Sequence, residues 1–214
     1  ALSFIQAHSV SLLFGDTGSG KSEIYFELIA EVLKEGKTAI ILMPEISLTP
    51  QMEHRLKENF GDIVALWHSK VTKKRKEDVL KGIYEDKIKI VAGARSALFL
   101  PLLDIGAIIV DEEHEGSFKS QSNPKINARD LAIYHGLKIG AKVVLGSATP
   151  SLISFVKYPC FRLKGRHFES QKRLYFDEGE DITPYITDSI SKKLAKKEQV
   201  LLFNPTRGDF KYLF

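Results

Sequence analysis

The eight-residue turn Gly15-Asp16-Thr17-Gly18-Ser19-Gly20-Lys21-Ser22 constrains this chain more than any other segment. It fits GxxxxGK[ST], follows an apolar run at residues 12–14, and opens a stretch with a helical apolar period. Glycines let successive backbone N–H groups turn inward as an anion nest, and a helix N-terminus adds partial positive charge. Lys21 is placed to reach outer phosphates, and the Ser22 hydroxyl to join the shell of a Mg²⁺ ion. Gly15, Asp16, Thr17, Gly18, Ser19, Gly20, Lys21 and Ser22 are therefore the expected phosphate site. A glycine-rich turn without a ligand is the plainer alternative, and the strand-before, helix-after context weighs against it.

The rest of the chain repeats that strand–helix alternation. Short Val/Ile/Leu-rich runs lie at 12–14, 39–43, 63–67, 88–92, 107–110, 143–145 and 200–203. None alternates cleanly with polar residues, which is how strands buried on both faces read. Between Lys21 and Glu35 the apolar residues Ile24, Leu28 and Val32 recur every four positions, with Glu23, Glu27, Glu31 and Glu35 on the opposite stripe. That is an amphipathic helix laid on a sheet. Further helices are expected at 48–60, 72–84, 128–139, 152–156 and 187–198. The expected fold is α/β: a mostly parallel sheet covered by helices on both faces, with right-handed crossovers.

Length and composition bound the alternatives. At roughly 150 residues per domain, 214 residues make one domain and part of a second. With 43% apolar and 27% charged residues the chain can bury a core, so disorder is excluded as the main reading. The longest apolar stretch, 97–110, is broken by Pro101, Asp104 and Gly106, whereas a membrane span needs about 20 apolar residues. No membrane association is expected, and with no signal-peptide pattern the cytoplasm is the expected compartment. Cys160 alone supports no internal disulfide, and the six histidines show no metal-ligand spacing. The net charge of +4 mildly favours an anionic partner.

A second acidic signal follows the run at 107–110: Asp111-Glu112-Glu113-His114. Ligands in open α/β sheets sit beyond the carboxyl ends of strands, the edge that also presents the phosphate loop. Asp111 at the strand tip is expected to help hold Mg²⁺, and Glu112 to act as general base toward an attacking water. Lys21, Asp111 and Glu112 are thus the candidate catalytic residues, with Ser22 and Asp111 at the metal. A solvated acidic strand end is the alternative.

With these residues in hand, the chain resembles the superfamily 2 helicases and translocases. Asp111-Glu112-Glu113-His114 is similar to their motif II and Gly146-Ser147-Ala148-Thr149-Pro150 to their motif III. The blocks Met43-Pro44-Glu45-Ile46-Ser47-Leu48-Thr49-Pro50-Gln51, Trp67-His68-Ser69, Gly93-Ala94-Arg95-Ser96-Ala97-Leu98-Phe99 and Asn127-Ala128-Arg129-Asp130-Leu131-Ala132 resemble the replication-restart helicases of the PriA (primosomal protein N′) type. The resemblance runs in order from about residue 11 to 156. It implies a first RecA-like P-loop NTPase lobe at 1–160, a linker at 161–184 and the truncated start of a second lobe at 185–214. It also implies ATP with Mg²⁺, and 3′→5′ unwinding of branched and single-stranded DNA. The implied protein partners are other replication-restart proteins and the loader of the replicative helicase. Such helicases carry an upstream DNA-binding domain, and zinc-binding cysteines beyond the strand near 203, so zinc is expected of the full-length family and not of these residues. Where many relatives read Asn-Arg-Arg-Gly-Tyr, this chain has Pro205-Thr206-Arg207-Gly208-Asp209.

The resemblance also implies DNA contacts at Thr49, Arg95 and Ser96, and a coupling role for the loop holding Phe118. Arg95 bridging loop carbonyls, and Phe118 packed beneath its loop, are the structural alternatives. His114 is a candidate relay to Ser147 and Thr149, or a turn cap. The basic runs Lys70, Lys73, Lys74, Arg75, Lys76 and Lys192, Lys193, Lys196, Lys197 read more readily as solvated helix faces than as phosphate contacts. Two other functions stay open: a different superfamily 2 translocase, and a nucleotide-binding interaction module without turnover.

Overall fold

The computed structural model describes residues 1–121, 123–165 and 183–201. They fall in two compact units, within Ala1–Glu169 and within Ser170–Phe214. The first unit runs α1 (Leu2–Ala7), β1 (Val10–Gly15), α2 (Lys21–Lys34), β2 (Thr38–Leu42), α3 (Pro50–Phe60), β3 (Val64–Trp67), α4 (Lys73–Tyr84), β4 (Ile90–Gly93), β5 (Ile105–Asp111), α5 (Ala128–Ile139), β6 (Lys142–Ser147), α6 (Leu152–Lys157) and β7 (Cys160–Leu163). The strands form one sheet in the order β3-β4-β2-β5-β6-β1-β7, with every neighbouring pair parallel.

Alternation along the buried strands divides the core between the two faces of the sheet. In β2, Ala39 and Ile41 pack with Ile29 of α2 and Leu56 of α3. Ile40 and Leu42 pack with Val79 and Ile83 of α4 and Ala132 and Ile133 of α5. Both faces being covered explains why β2 reads as an unbroken apolar run. The helix starts follow capping chemistry. Thr49 accepts from the Met52 N–H at 3.2 Å, Thr72 from the Arg75 N–H at 3.3 Å, and Asn127 from the Arg129 N–H at 3.0 Å.

Because all strands are parallel, their carboxyl ends share one edge. β6 lies between β1 and β5, and its Gly146 is in register with both Leu13 and Asp111. The phosphate-loop turn and the acidic strand tip therefore flank one strand end.

Six expected strands are present at slightly shifted bounds. Residues 161–163, expected to open the linker, instead complete β7, which pairs with β1 from Leu12 to Gly15. This edge strand is half-exposed and includes Arg162, whose guanidinium lies 4.8 Å from the centre of the Phe14 ring, so no apolar run announced it. Helix α1 was also not expected; it is six residues long and Ile5 is its buried residue. In the second unit, α7 spans Pro184–Ala195 and starts earlier than expected, at a Thr183-Pro184 cap. Val200 and Leu201 are not in a strand. The rest of the strand expected at 200–203, and Pro205 to Asp209, lie outside the described residues. No helix among the described residues is long and apolar enough to cross a membrane.

Gly136 lets α5 lie close on β6. A Cβ there would collide with the Val143 side chain, which is buried. Alanine normally stabilises a helix interior by about 1 kcal/mol over glycine. Here overpacking of about 1–3 kcal/mol should outweigh that gain, so Gly136→Ala lowers the urea midpoint at unchanged m-value.

Candidate functional site

The phosphate-loop geometry follows from its glycines. Gly18 (φ +78°) and Gly20 (φ +90°) occupy left-handed backbone, and Gly20 caps α2. Lys21, 8% exposed, donates from Nζ to the Gly15 carbonyl at 2.7 Å and the Asp16 carbonyl at 3.3 Å. The lysine head thus lies under its own loop. Among the described residues the buried Ser19 hydroxyl has no hydrogen-bond partner, and a Cβ at Gly15 would overlap it. A buried hydroxyl without a partner is costly, and a phosphate oxygen would supply the missing one.

A cavity of about 790 Å³ opens over this loop. Thr17 to Glu23 line it together with Arg55, Asp111, Glu112, Lys164 and Gly165. The fold therefore brings Lys21, Ser22, Asp111 and Glu112 to one space. Among the described residues no three His, Cys, Asp or Glu side chains are grouped to hold a metal. Ser22 and Asp111 are the residues that would hold a Mg²⁺ ion here, a cation that takes oxygen ligands and needs few from the protein. The donor set, a hydroxyl and a carboxylate beside a phosphate nest, fits that ion.

The sequence pattern did not point to Tyr25. From α2 its hydroxyl donates to the Asp111 carboxylate at 2.9 Å. It crosses the end of β6 where Gly146 stands, and any Cβ at 146 would collide with the phenol oxygen. Burial and the neighbouring Asp111 charge hold the Tyr25 phenol well above its usual pKa, so it stays a donor. Burial raises the Asp111 pKa and Glu112 adds to the rise, against the opposing Tyr25 hydroxyl and Lys21 charge. Glu112 follows with φ +50°, a left-handed backbone that non-glycine residues seldom adopt and that costs on the order of 1 kcal/mol or more.

His114 meets the partners expected of it. Its Nδ1 lies 2.8 Å from Ser147 Oγ and its Nε2 lies 3.3 Å from Thr149 Oγ1. The Thr149 N–H already donates to Ser147 Oγ at 2.9 Å, so a ring protonated on Nε2 satisfies every group. Glu112 Oε2 lies 3.6 Å from Nδ1.

Glu113, which the sequence left without a role, is the most enclosed charge, 2% exposed. Its carboxylate accepts from Arg129 Nη1 at 3.0 Å, the Ser151 N–H at 2.6 Å, Ser151 Oγ at 3.1 Å and Ser154 Oγ at 2.7 Å. One side chain thereby ties the end of β5 to the starts of α5 and α6. The Arg129 block was visible in the sequence, but no spacing rule links it to Glu113, Ser151 or Ser154.

The expected DNA contacts are placed unevenly. Arg95 and Ser96 are exposed on a 3₁₀ turn, and Arg95 lines a cavity of about 480 Å³ with Pro44, Glu45, Ser117 and Lys119. The Thr49 hydroxyl is engaged as the cap of α3. Phe118, 2% exposed, packs in the core beneath its loop and also contributes to the lining of that cavity. Arg75 is ion-paired with Glu53 and Lys76 lies 5.5 Å from the centre of the Trp67 ring, as on a solvated helix face. Lys192 likewise pairs with Asp188.

Residues 3–156 match the family model of the DEAD/DEAH box helicases. The chain belongs to the DEAD/DEAH box helicase family. It is 50% identical over 217 residues to the replication restart protein PriA of Helicobacter pylori, covering all of this chain and 35% of that protein. It is 41% identical to PriA of Bacillus subtilis, covering 94% of this chain and 27% of that one. The chain thus spans about a third of the length of the curated relatives it matches. Among solved structures it is similar to the DUF1998 helicase MrfA, with a TM-score of 0.62 and 16% identity over 96% of this chain and 35% of that one. RecG bound to a three-way DNA junction gives a TM-score of 0.55 at 22% identity, covering 75% of this chain and 22% of that one. At these identities both show the shared helicase-lobe fold.

Two stability effects follow. Glu113→Ala removes the buried carboxylate that Arg129, Ser151 and Ser154 share, leaving Arg129 with Asp130 and the Ser151 hydroxyl, and should cost about 2 kcal/mol by denaturant unfolding. The raised Asp111 pKa sets the sign of a pH effect. Its contribution is fully present below the unfolded carboxylate pKa and is lost as pH rises through the folded value. Asp111→Asn should therefore lose less stability than the parent as pH rises from the ordinary carboxylate range to neutrality. Parallel stability–pH curves for the two would contradict the burial argument.

Proposed function

We propose that residues 1–163 form the first nucleotide-binding lobe of an ATP-dependent DNA helicase of the replication-restart type, and that the segment from 184 onward begins a second lobe. The observation that carries this reading is the shared cavity of Lys21, Ser22, Asp111 and Glu112. Its support is the family match and the identity to PriA proteins. The larger protein would couple ATP hydrolysis to 3′→5′ movement on single-stranded DNA at branched forks. Its partners would be replication-restart proteins and a helicase loader.

In this mechanism the loop N–H groups and the start of α2 hold the phosphates, and Lys21 leaves its loop carbonyls to meet the outer ones. Ser22 and Asp111 would hold Mg²⁺, which when bound neutralises developing phosphate charge. Tyr25 fixes the orientation of the Asp111 carboxylate. Glu112 takes the proton of the attacking water. His114 stands against Glu112 on one side and Ser147 and Thr149 on the other, so a shift at the base is passed to the motif that follows β6. Arg95 and Ser96, with the backbone near Thr49, form the DNA groove, with Phe118 supporting that loop from the core.

Lys21→Ala should abolish nucleotide binding in calorimetry while far-ultraviolet circular dichroism stays unchanged. Unchanged affinity would refute the site. Glu112→Gln in the full-length protein should keep ATP affinity within about threefold and cut turnover by about 10²-fold or more, the usual scale of a lost general base. These 214 residues alone should bind ATP–Mg²⁺ weakly and turn over slowly, since an arginine from a facing domain is worth about 10³–10⁵ in related chemistry. Strand displacement on 3′- and 5′-tailed duplexes tests the polarity, and unwinding only from 5′ tails would overturn it.

A further inference from the structure

Besides Lys21, two more cations line the phosphate cavity, Lys164 and Arg55. Lys164 follows Leu163, which is in register with Gly15, so it stands beside the entrance of the loop. Arg55 comes from α3, a different element. It is ion-paired with Glu23 in the first turn of α2, and its guanidinium lies 5.4 Å from the centre of the Phe26 ring. Glu23 directly follows Ser22. The pair therefore sits at the end of the cavity where Ser22 and Lys21 would meet the outer phosphates.

The charges at this end need an explanation. An acid in the first turn of a helix is favourable by itself, but beside a polyphosphate it repels the ligand. Arg55 offsets that repulsion. Yet both side chains are substantially exposed, 42% for Arg55 and 63% for Glu23, and an exposed ion pair is worth only about 0–1 kcal/mol. So weak a contact yields readily to a better acceptor. A guanidinium presents a planar fork that matches phosphate oxygens, and the Phe26 ring holds its plane in place before a ligand arrives.

We propose that Arg55 is a nucleotide-sensing residue, which leaves Glu23 to contact the terminal phosphate of a bound nucleoside triphosphate. Arg55 then distinguishes the triphosphate from the diphosphate within this lobe, and Glu23 is its resting partner once that phosphate is gone. Because Arg55 rides on α3, which begins at the Thr49 cap, its change of partner reports the nucleotide state to the segment that starts at Pro44. This rests on the phosphate-site reading above.

The test uses calorimetry on this chain with Mg²⁺ and either a non-hydrolysable ATP analogue or ADP. Arg55→Met keeps the stem over Phe26 and removes the fork. It should weaken the analogue about tenfold to a hundredfold, the scale of a lost charged hydrogen bond, and change ADP less than about threefold. Glu23→Ala should leave the analogue as tight or tighter, and the double variant should remain as weak as Arg55→Met. Equal losses for both nucleotides, or recovery of the analogue in the double variant, would show that Arg55 merely neutralises Glu23 and would overturn the proposal. If Arg55→Met unfolds, Arg55→Lys carries the test, and an analogue-to-ADP affinity ratio equal to the parent's would overturn the proposal. The two failures are separable: if Lys21→Ala leaves both nucleotides bound, the phosphate-site reading falls and this proposal with it.

Discussion

One hydrogen bond, from the Tyr25 hydroxyl to the Asp111 carboxylate, joins the two halves of the cavity. Tyr25 belongs to the helix that the phosphate loop opens, and Asp111 to the strand two positions across the sheet. Between them lies the end of β6, and the bond is possible because residue 146 has no side chain. Fixing the carboxylate this way holds it against the cavity that Ser22 also lines. The parallel sheet brings the two strand ends near each other. Tyr25 and Gly146 make that nearness a defined geometry.

Much of this was legible in the sequence because it is local. The loop between strand and helix, the amphipathic period of α2 and the apolar run into Asp111 each follow from a short stretch of chain. The cross-chain contacts were not legible. Tyr25 sits within the apolar stripe of α2, and only its distance from Asp111, 86 residues later, separates it from a core aromatic. Glu113 reads as one more acid at a strand tip until Arg129, Ser151 and Ser154 fold around it. β7 escaped notice because an edge strand needs only one buried side and tolerates Arg162. Phe118 belongs to the same class, since position in a loop says nothing about whether a ring points to solvent or to the core.

The consecutive carboxylates Asp111, Glu112 and Glu113 show how one composition yields three chemistries. Asp111 ends a buried strand. Burial lifts its pKa, against the opposing hydrogen bond of the Tyr25 phenol and the charge of Lys21. Glu112 is turned by a left-handed backbone angle out of the strand's path, with half a hydrogen-bonded turn following it from the Glu115 N–H to the Glu112 carbonyl at 2.8 Å. Its strain is sustained because the Glu113 N–H on its far side is held by the Gly146 carbonyl at 3.0 Å. Glu113 points inward and is neutralised outright. Without Arg129 that charge would lie buried with only neutral hydroxyl and amide donors around it. The arginine in α5 therefore compensates the acid of the three that faces the core, while Asp111 and Glu112 face the cavity.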